Sequence, residues 1–167
     1  MAKRKQPINV AIDTSLLVDL FVDDQKIFAE RTDYALRSRE YQIFIPTLVG
    51  VETLTTPAMR LKAQEPPIDN ASTARARQLF RSPNIIWITL DRKSMMIAQE
   101  LGLTRFIRPQ DAAIVACAIR AECQFLFTKD DKLIKKAEGL EEITVCYPPD
   151  IPPLQNELSL EGNDDDK

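Results

Sequence analysis

Four acidic residues of this chain stand at the junctions of apolar segments, where a carboxylate has room to do chemistry. Asp13 directly follows the run "INVAI" and Asp130 lies just beyond "QFLFT". Glu52 falls in "TLVGVETLTT", and Asp111 opens the strongly apolar "RPQDAAIVACAIRAE". Carboxylates gathered in one pocket repel each other and take up protons, and a divalent cation resolves that conflict. The chain has no histidine, and its three cysteines, Cys117, Cys123 and Cys146, form no Cys-x-x-Cys pair. The ligand set is therefore all oxygen, which suits Mg²⁺ or Mn²⁺. One or two such ions can orient a water for attack on a phosphodiester and stabilise the leaving oxygen without any histidine.

Each acid also has a plainer reading. Asp13 is a good N-cap for the segment that follows it, and Glu52 by itself would be an exposed helical glutamate. Asp111 in a first helical turn is satisfied by free N–H groups and the positive end of the helix dipole, a role compatible with facing a cation. Asp130 and Asp131 are adjacent, so one can be a ligand and the other a cap. Asp91, after "NIIWITL" and before "RKSMMIAQEL", reads as a cap alone. Asp19, Asp23 and Asp24 read as solvated positions, Asp19 nearest the rim. Arg108 and Lys129 flank the third and fourth acids and are the candidates for contact with substrate phosphates, with Arg105 and Lys132 behind them.

The elements that position these residues alternate. "INVAI" reads as a strand and "TSLLVDLF" as a helix, then a polar helix over residues 28–39 and a strand "YQIFIP". "TLVGVETLTT" is a helix ended by Pro57, and residues 57–69, with Pro66 and Pro67, read as a connector. A second helical pair starts near Asn70, with Ala74, Leu79 and Phe80 inward. The strand "NIIWITL" follows, with Trp87 in the core, then a helix closed by Gly102, the apolar helix, the strand "QFLFT", the helix "DDKLIKKAE" and a last strand "ITVCY". Short apolar strands alternating with helices predict a mostly parallel sheet covered on both faces, a three-layer α/β/α fold. In such folds the carboxyl ends of the parallel strands share one edge, where ligands bind.

"VAIDTSLLVD", "IPTLVGVETL", "RPQDAAIVACA" and "FLFTKDD" together resemble the four motifs of the PIN-domain nucleases, especially the small endoribonuclease toxins of toxin-antitoxin pairs. The resemblance spans residues 8 to about 147. It implies a parallel five-stranded sheet between helices, Mg²⁺ or Mn²⁺ at a carboxylate cluster, cleavage of RNA, an antitoxin partner and frequent homodimers. Asp13, Glu52, Asp111 and Asp130 match the four acids in order. Thr14 or Ser15 fills the hydroxyl position after the first acid, and Thr128 the threonine of the "T-x-D" motif, with Asp131 as the secondary candidate beside it. A PIN-like binding or regulatory module with weak or no nuclease activity is the alternative. A phosphatase wants Asp-x-Asp after the first strand and a phospho-acceptor domain an acidic pair there, whereas Thr14 and Ser15 follow Asp13.

Composition narrows the rest. The length of 167 residues suits one domain, residues 1–147, with a Pro-rich and acidic tail over residues 148–167 expected to be disordered. No histidine means no Ser-His-Asp or Cys-His nucleophile, and four isolated glycines cannot write a phosphate-binding loop. The net charge of -3 does not advertise nucleic-acid binding, but Lys3, Arg4 and Lys5 at one end and Asp164, Asp165 and Asp166 at the other leave the middle nearly balanced. The absence of a long apolar stretch and of a signal-like start predicts a soluble cytoplasmic protein with no membrane partner.

Overall fold

The computed structural model describes residues 6–22, 24–60 and 70–152. Its five strands form one sheet in the order β3-β2-β1-β4-β5, with β1 (Ile8–Ile12) at the centre. β2 (Tyr41–Pro46) and β3 (Ile85–Ile88) lie on one side, β4 (Phe125–Phe127) and β5 (Thr144–Cys146) on the other, and all four pairings are parallel. Val10, Ala11 and Ile12 are fully buried, as are Ile45 and Leu126. The inner strands are therefore apolar on both faces, which is why they read as runs rather than alternations.

Each strand pair is joined through helices. α1 (Thr14–Val22) and α2 (Lys26–Arg37) connect β1 to β2; α3 (Thr47–Thr55), α4 (Pro57–Arg60) and α5 (Ala71–Phe80) connect β2 to β3. α6 (Arg92–Arg105) and α7 (Pro109–Arg120) carry the chain back across to β4, and α8 (Asp131–Ala137) leads to β5. Right-handed crossovers that run in opposite directions along the sheet put α1–α5 on one face and α6–α8 on the other. The direction reverses between β1 and β4. The loops leaving those two strands part there, and the crevice between them is the expected ligand site of an open parallel sheet.

Local chemistry sets the boundaries. Asn70 caps α5 in a reciprocal box with Thr73, and Asp91 caps α6 by accepting from the Ser94 amide at 2.7 Å. Several expectations need correction. Pro57 starts α4 rather than a connector, because proline fits a first helical turn; residues 61–69 lie outside the described residues. One helix, α5, rather than a helical pair lies between Asn70 and β3, since only residues 71–80 are helical there; Ala74 is exposed, and the inner face of α5 is carried by Thr73 and Ala76. Gly102 lies inside α6, which runs on to Arg105 and ends at Phe106 in the left-handed region, φ 54. Arg105 is held there by donating to the carbonyls of Lys136 on α8 and Glu138 just past it. Trp87 is 38% exposed, since β3 is an edge strand. Its ring packs on Phe80 and over Gly50, where a Cβ would lie 2.9 Å from the indole.

The chain beyond β5 is tied back at first. Tyr147 packs its ring on Phe28 and donates its hydroxyl to Asp131, and Asp150 pairs with Arg31. The remainder of the expected tail, residues 153–167, the basic residues 3–5 and Asp23 lie outside the described residues. Cys117 and Cys123 are buried, and burial pushes the Cys123 thiol up to about 12. Among the described residues no helix is long and apolar enough to cross a membrane.

Candidate active site

Asp13 is the first residue past β1. Its amide donates to the Phe127 carbonyl of β4 at 3.0 Å, which fixes the backbone at the point where β1 and β4 part. Its carboxylate is 6% exposed and accepts at Oδ2 from Ser15 Oγ at 2.6 Å and from Thr128 Oγ1 at 2.8 Å. Both bonds fall on one oxygen, so the other stays available. Thr128, fully buried, also accepts from the Asp130 amide at 3.1 Å. One hydroxyl thus couples the first acid to the loop carrying the fourth.

Asp130 holds two positions at once. Its Oδ1 accepts from the Lys132 and Leu133 amides and so caps α8, while Oδ2 accepts from Arg108 Nη2 at 2.8 Å. Asp131 is bonded to Tyr147 instead. Asp111 is the third residue of α7, behind Pro109 at the first position. It accepts from Arg108 Nε at 2.8 Å and its side chain is 19% exposed. Burial pushes the Asp111 carboxyl above its ordinary value against the pull of Arg108, and the charges of Asp13 and Asp130 push the same way. Glu52, half-buried on α3, accepts from Thr14 Oγ1 at 2.6 Å, one residue from Asp13.

The side chains flanking the acids differ from expectation. Arg108 does not sit beside the pocket; its guanidinium bridges Asp111 and Asp130, and these carboxylates, Asp111 foremost, with Asp13 adding, raise its pKa. Its N-cap position three residues before Asp111 was the available signal. Lys129 turns inward to Asp19, with Nζ 2.5 Å from Oδ1. Asp19 is 1% exposed rather than solvated, and its Oδ2 has no hydrogen-bond partner among the described residues. Burial pushes its pKa up, opposed by Lys129.

The donor set is all oxygen and already surrounds a positive charge, which is the chemistry that suits a hard divalent cation. As the side chains stand, no three acidic or cysteine groups among the described residues lie close enough together to enclose an ion. The guanidinium of Arg108 supplies the countercharge.

Fold and pocket together define a class: a three-layer α/β domain with acids from separate segments ranged along the carboxyl edge of a parallel sheet. The PIN domain family model matches residues 10–139, and the chain belongs to that family. No curated protein sequence matches it. Among solved structures it is similar to VapBC2 of Rickettsia felis bound to a DNA fragment from their promoter, at 15% identity and TM-score 0.57, over 83% of this chain and 97% of that one. A toxin-antitoxin complex from Klebsiella pneumoniae gives 18% identity and TM-score 0.59 over 85% and 99% of the two chains. VapC20 of Mycobacterium tuberculosis, a toxin that cleaves the sarcin-ricin loop, gives 17% and 0.60 over 81% and 98%. At these identities the likeness is one of fold.

Proposed function

We propose that the chain is a metal-dependent endoribonuclease, with residues 1–147 as its catalytic unit, acting in the cytoplasm. The observation that carries this reading is the coupling of acids across the crevice: Asp13 to the Asp130 loop through Thr128, and Asp130 to Asp111 through one side chain. Asp13, Asp111 and Asp130 would hold Mg²⁺ or Mn²⁺, with Glu52 as a further ligand or as the group that orients the attacking water. The ion would supply charge stabilisation to the phosphodiester and acidify the water. Ser15 and Thr128 fix the Asp13 carboxylate, and Thr14 fixes Glu52. We assign RNA phosphate contact to Arg108, which is exposed, rather than to Lys129, which is committed to Asp19.

Two partners belong to this reading. The similar structures from Rickettsia and Klebsiella are toxin-antitoxin complexes, which supports an antitoxin that covers the acid pocket. A homodimer has a surface of the right kind on α6, where Met95, Met96 and Leu103, with Phe106 just beyond, are exposed.

Cleavage of generic RNA with Mn²⁺ tests the reading. Asp13→Asn should lower the rate about a hundredfold or more, since loss of groups around a metal site costs at least that order. Equal cleavage by both proteins sinks the mechanism. No cleavage by either, with both folded, favours a binding module without nuclease activity.

A further inference from the structure

The hydrolysis assigned above does not need Arg108 inside the pocket, yet the side chain spans two of the four acids. Nε lies 2.8 Å from Asp111 Oδ2, and Nη2 lies 2.8 Å from Asp130 Oδ2. The other oxygen of Asp130 is already taken by the Lys132 and Leu133 amides. With Arg108 in place both oxygens of Asp130 therefore carry hydrogen bonds, as does Oδ2 of Asp111. A divalent cation held by these acids would compete with Arg108 for the lone pairs of Asp130 Oδ2 and Asp111 Oδ2. It would also meet a like charge at close range in a partly desolvated pocket, where repulsion is strong.

The exposure of the two sides is unequal. Asp111 and Asp130 are 19% and 26% exposed, whereas the Arg108 side chain is 65% exposed. The acids are fixed by their helices, Asp111 in the first turn of α7 and Asp130 as the cap of α8. Arg108 reaches in from the solvent side of the α7 N-terminus and can withdraw without unfolding anything. Lys129 is the contrast, because its pairing with a 1% exposed carboxylate leaves it nowhere to go.

We propose that Arg108 is a built-in latch on the acid pocket: it neutralises Asp111 and Asp130 when no ion is bound and must swing out before a divalent cation can enter. This rests on the metal-site reading. The latch lowers the affinity for the ion below what the acids alone would give, so the ion occupies the site only at higher concentration. Once displaced, the guanidinium faces solvent at the rim of the crevice, where an RNA phosphate is the anion it meets.

Isothermal titration of the full chain with Mn²⁺ alone, at fixed ionic strength, tests the latch without any cleavage readout. Arg108→Gln should bind at least about fivefold tighter than the native protein, a difference of about 1 kcal/mol. Arg108→Lys should bind tighter by a smaller factor, because an ammonium keeps the charge but lacks the fork that joins two carboxylates. Asp13→Asn should lose binding. If Asp13→Asn loses binding while a natively folded Arg108→Gln binds no tighter than the native chain, the latch is wrong and the metal site stands. Should Arg108→Gln fail to fold, Arg108→Lys decides, and an affinity no tighter than native overturns the latch. Equal Mn²⁺ binding by Asp13→Asn and the native protein overturns the metal site and the latch with it.

Discussion

Replacing Thr128 with valine is the most searching perturbation of the pocket's framework. Valine keeps the shape, so no cavity forms, and only the hydroxyl is removed. That hydroxyl is fully buried, donates to the Asp13 carboxylate at 2.8 Å and accepts from the Asp130 amide at 3.1 Å. A hydrogen bond to a charged group contributes about 1.5–3 kcal/mol, and a partly buried amide left without an acceptor costs about 1 kcal/mol more. Thr128→Val should therefore lose about 3 kcal/mol. Thr128→Ser keeps both bonds and gives up one buried methyl, about 1 kcal/mol. In urea, with a slope of about 2 kcal/mol/M, the midpoint should fall by about 1.5 M for valine and about 0.5 M for serine. Mn²⁺ affinity should fall about 10- to 100-fold for valine, as for other groups that orient metal ligands, and hold for serine. If serine is as damaging as valine, the methyl's packing rather than the hydroxyl joins β1 to β4, and the coupling of Asp13 to the Asp130 loop is refuted.

Gly50→Ala sets helix propensity against a collision. Alanine gains about 1 kcal/mol in a helix interior, but its Cβ would lie 2.9 and 3.0 Å from two ring carbons of Trp87, and overpacking costs about 1–3 kcal/mol. The substitution should lower the melting temperature in the native background and raise it in Trp87→Leu; a rise in both removes the close approach. Leu103 and Phe106 are 77% and 78% exposed, so Leu103→Asp should turn a dimer into a monomer by light scattering. A native chain that is already monomeric refutes that assignment of the α6 face.

What could be seen in advance was local. Asp13, Asp91 and Asp130 each adjoin a short apolar run, and the end of such a run tells where a parallel strand stops and which edge the next residue faces. The order of elements followed from the same signal, and the all-parallel sheet follows from the helical crossovers. What stayed hidden depended on pairings far along the chain. Nothing near Asp19 in sequence indicates burial, because the ammonium that makes it tolerable belongs to Lys129, 110 residues later. Arg108 reads as a flanking charge until α8 brings Asp130 within reach, 22 residues on. Trp87 misled for another reason: an apolar run signals a strand but not its rank in the sheet, and an edge strand keeps one side in solvent. At Gly102 the usual preference for glycine at a helix end gave way to Phe106, which takes the left-handed conformation itself, with Lys136 donating to its carbonyl.

The central strand has a consequence in time. β1 is made first, but its partner β4 and the hydroxyl that grips Asp13 are 115 residues later. At synthesis rates of about 5–20 residues per second, roughly 6–23 s separate the two during translation. The pocket cannot exist in that interval, so a growing chain carries its first acid without the means to use it. The framework around Asp13 is complete only after Thr128 and Asp130 have been made, and the pace of the ribosome sets when that happens.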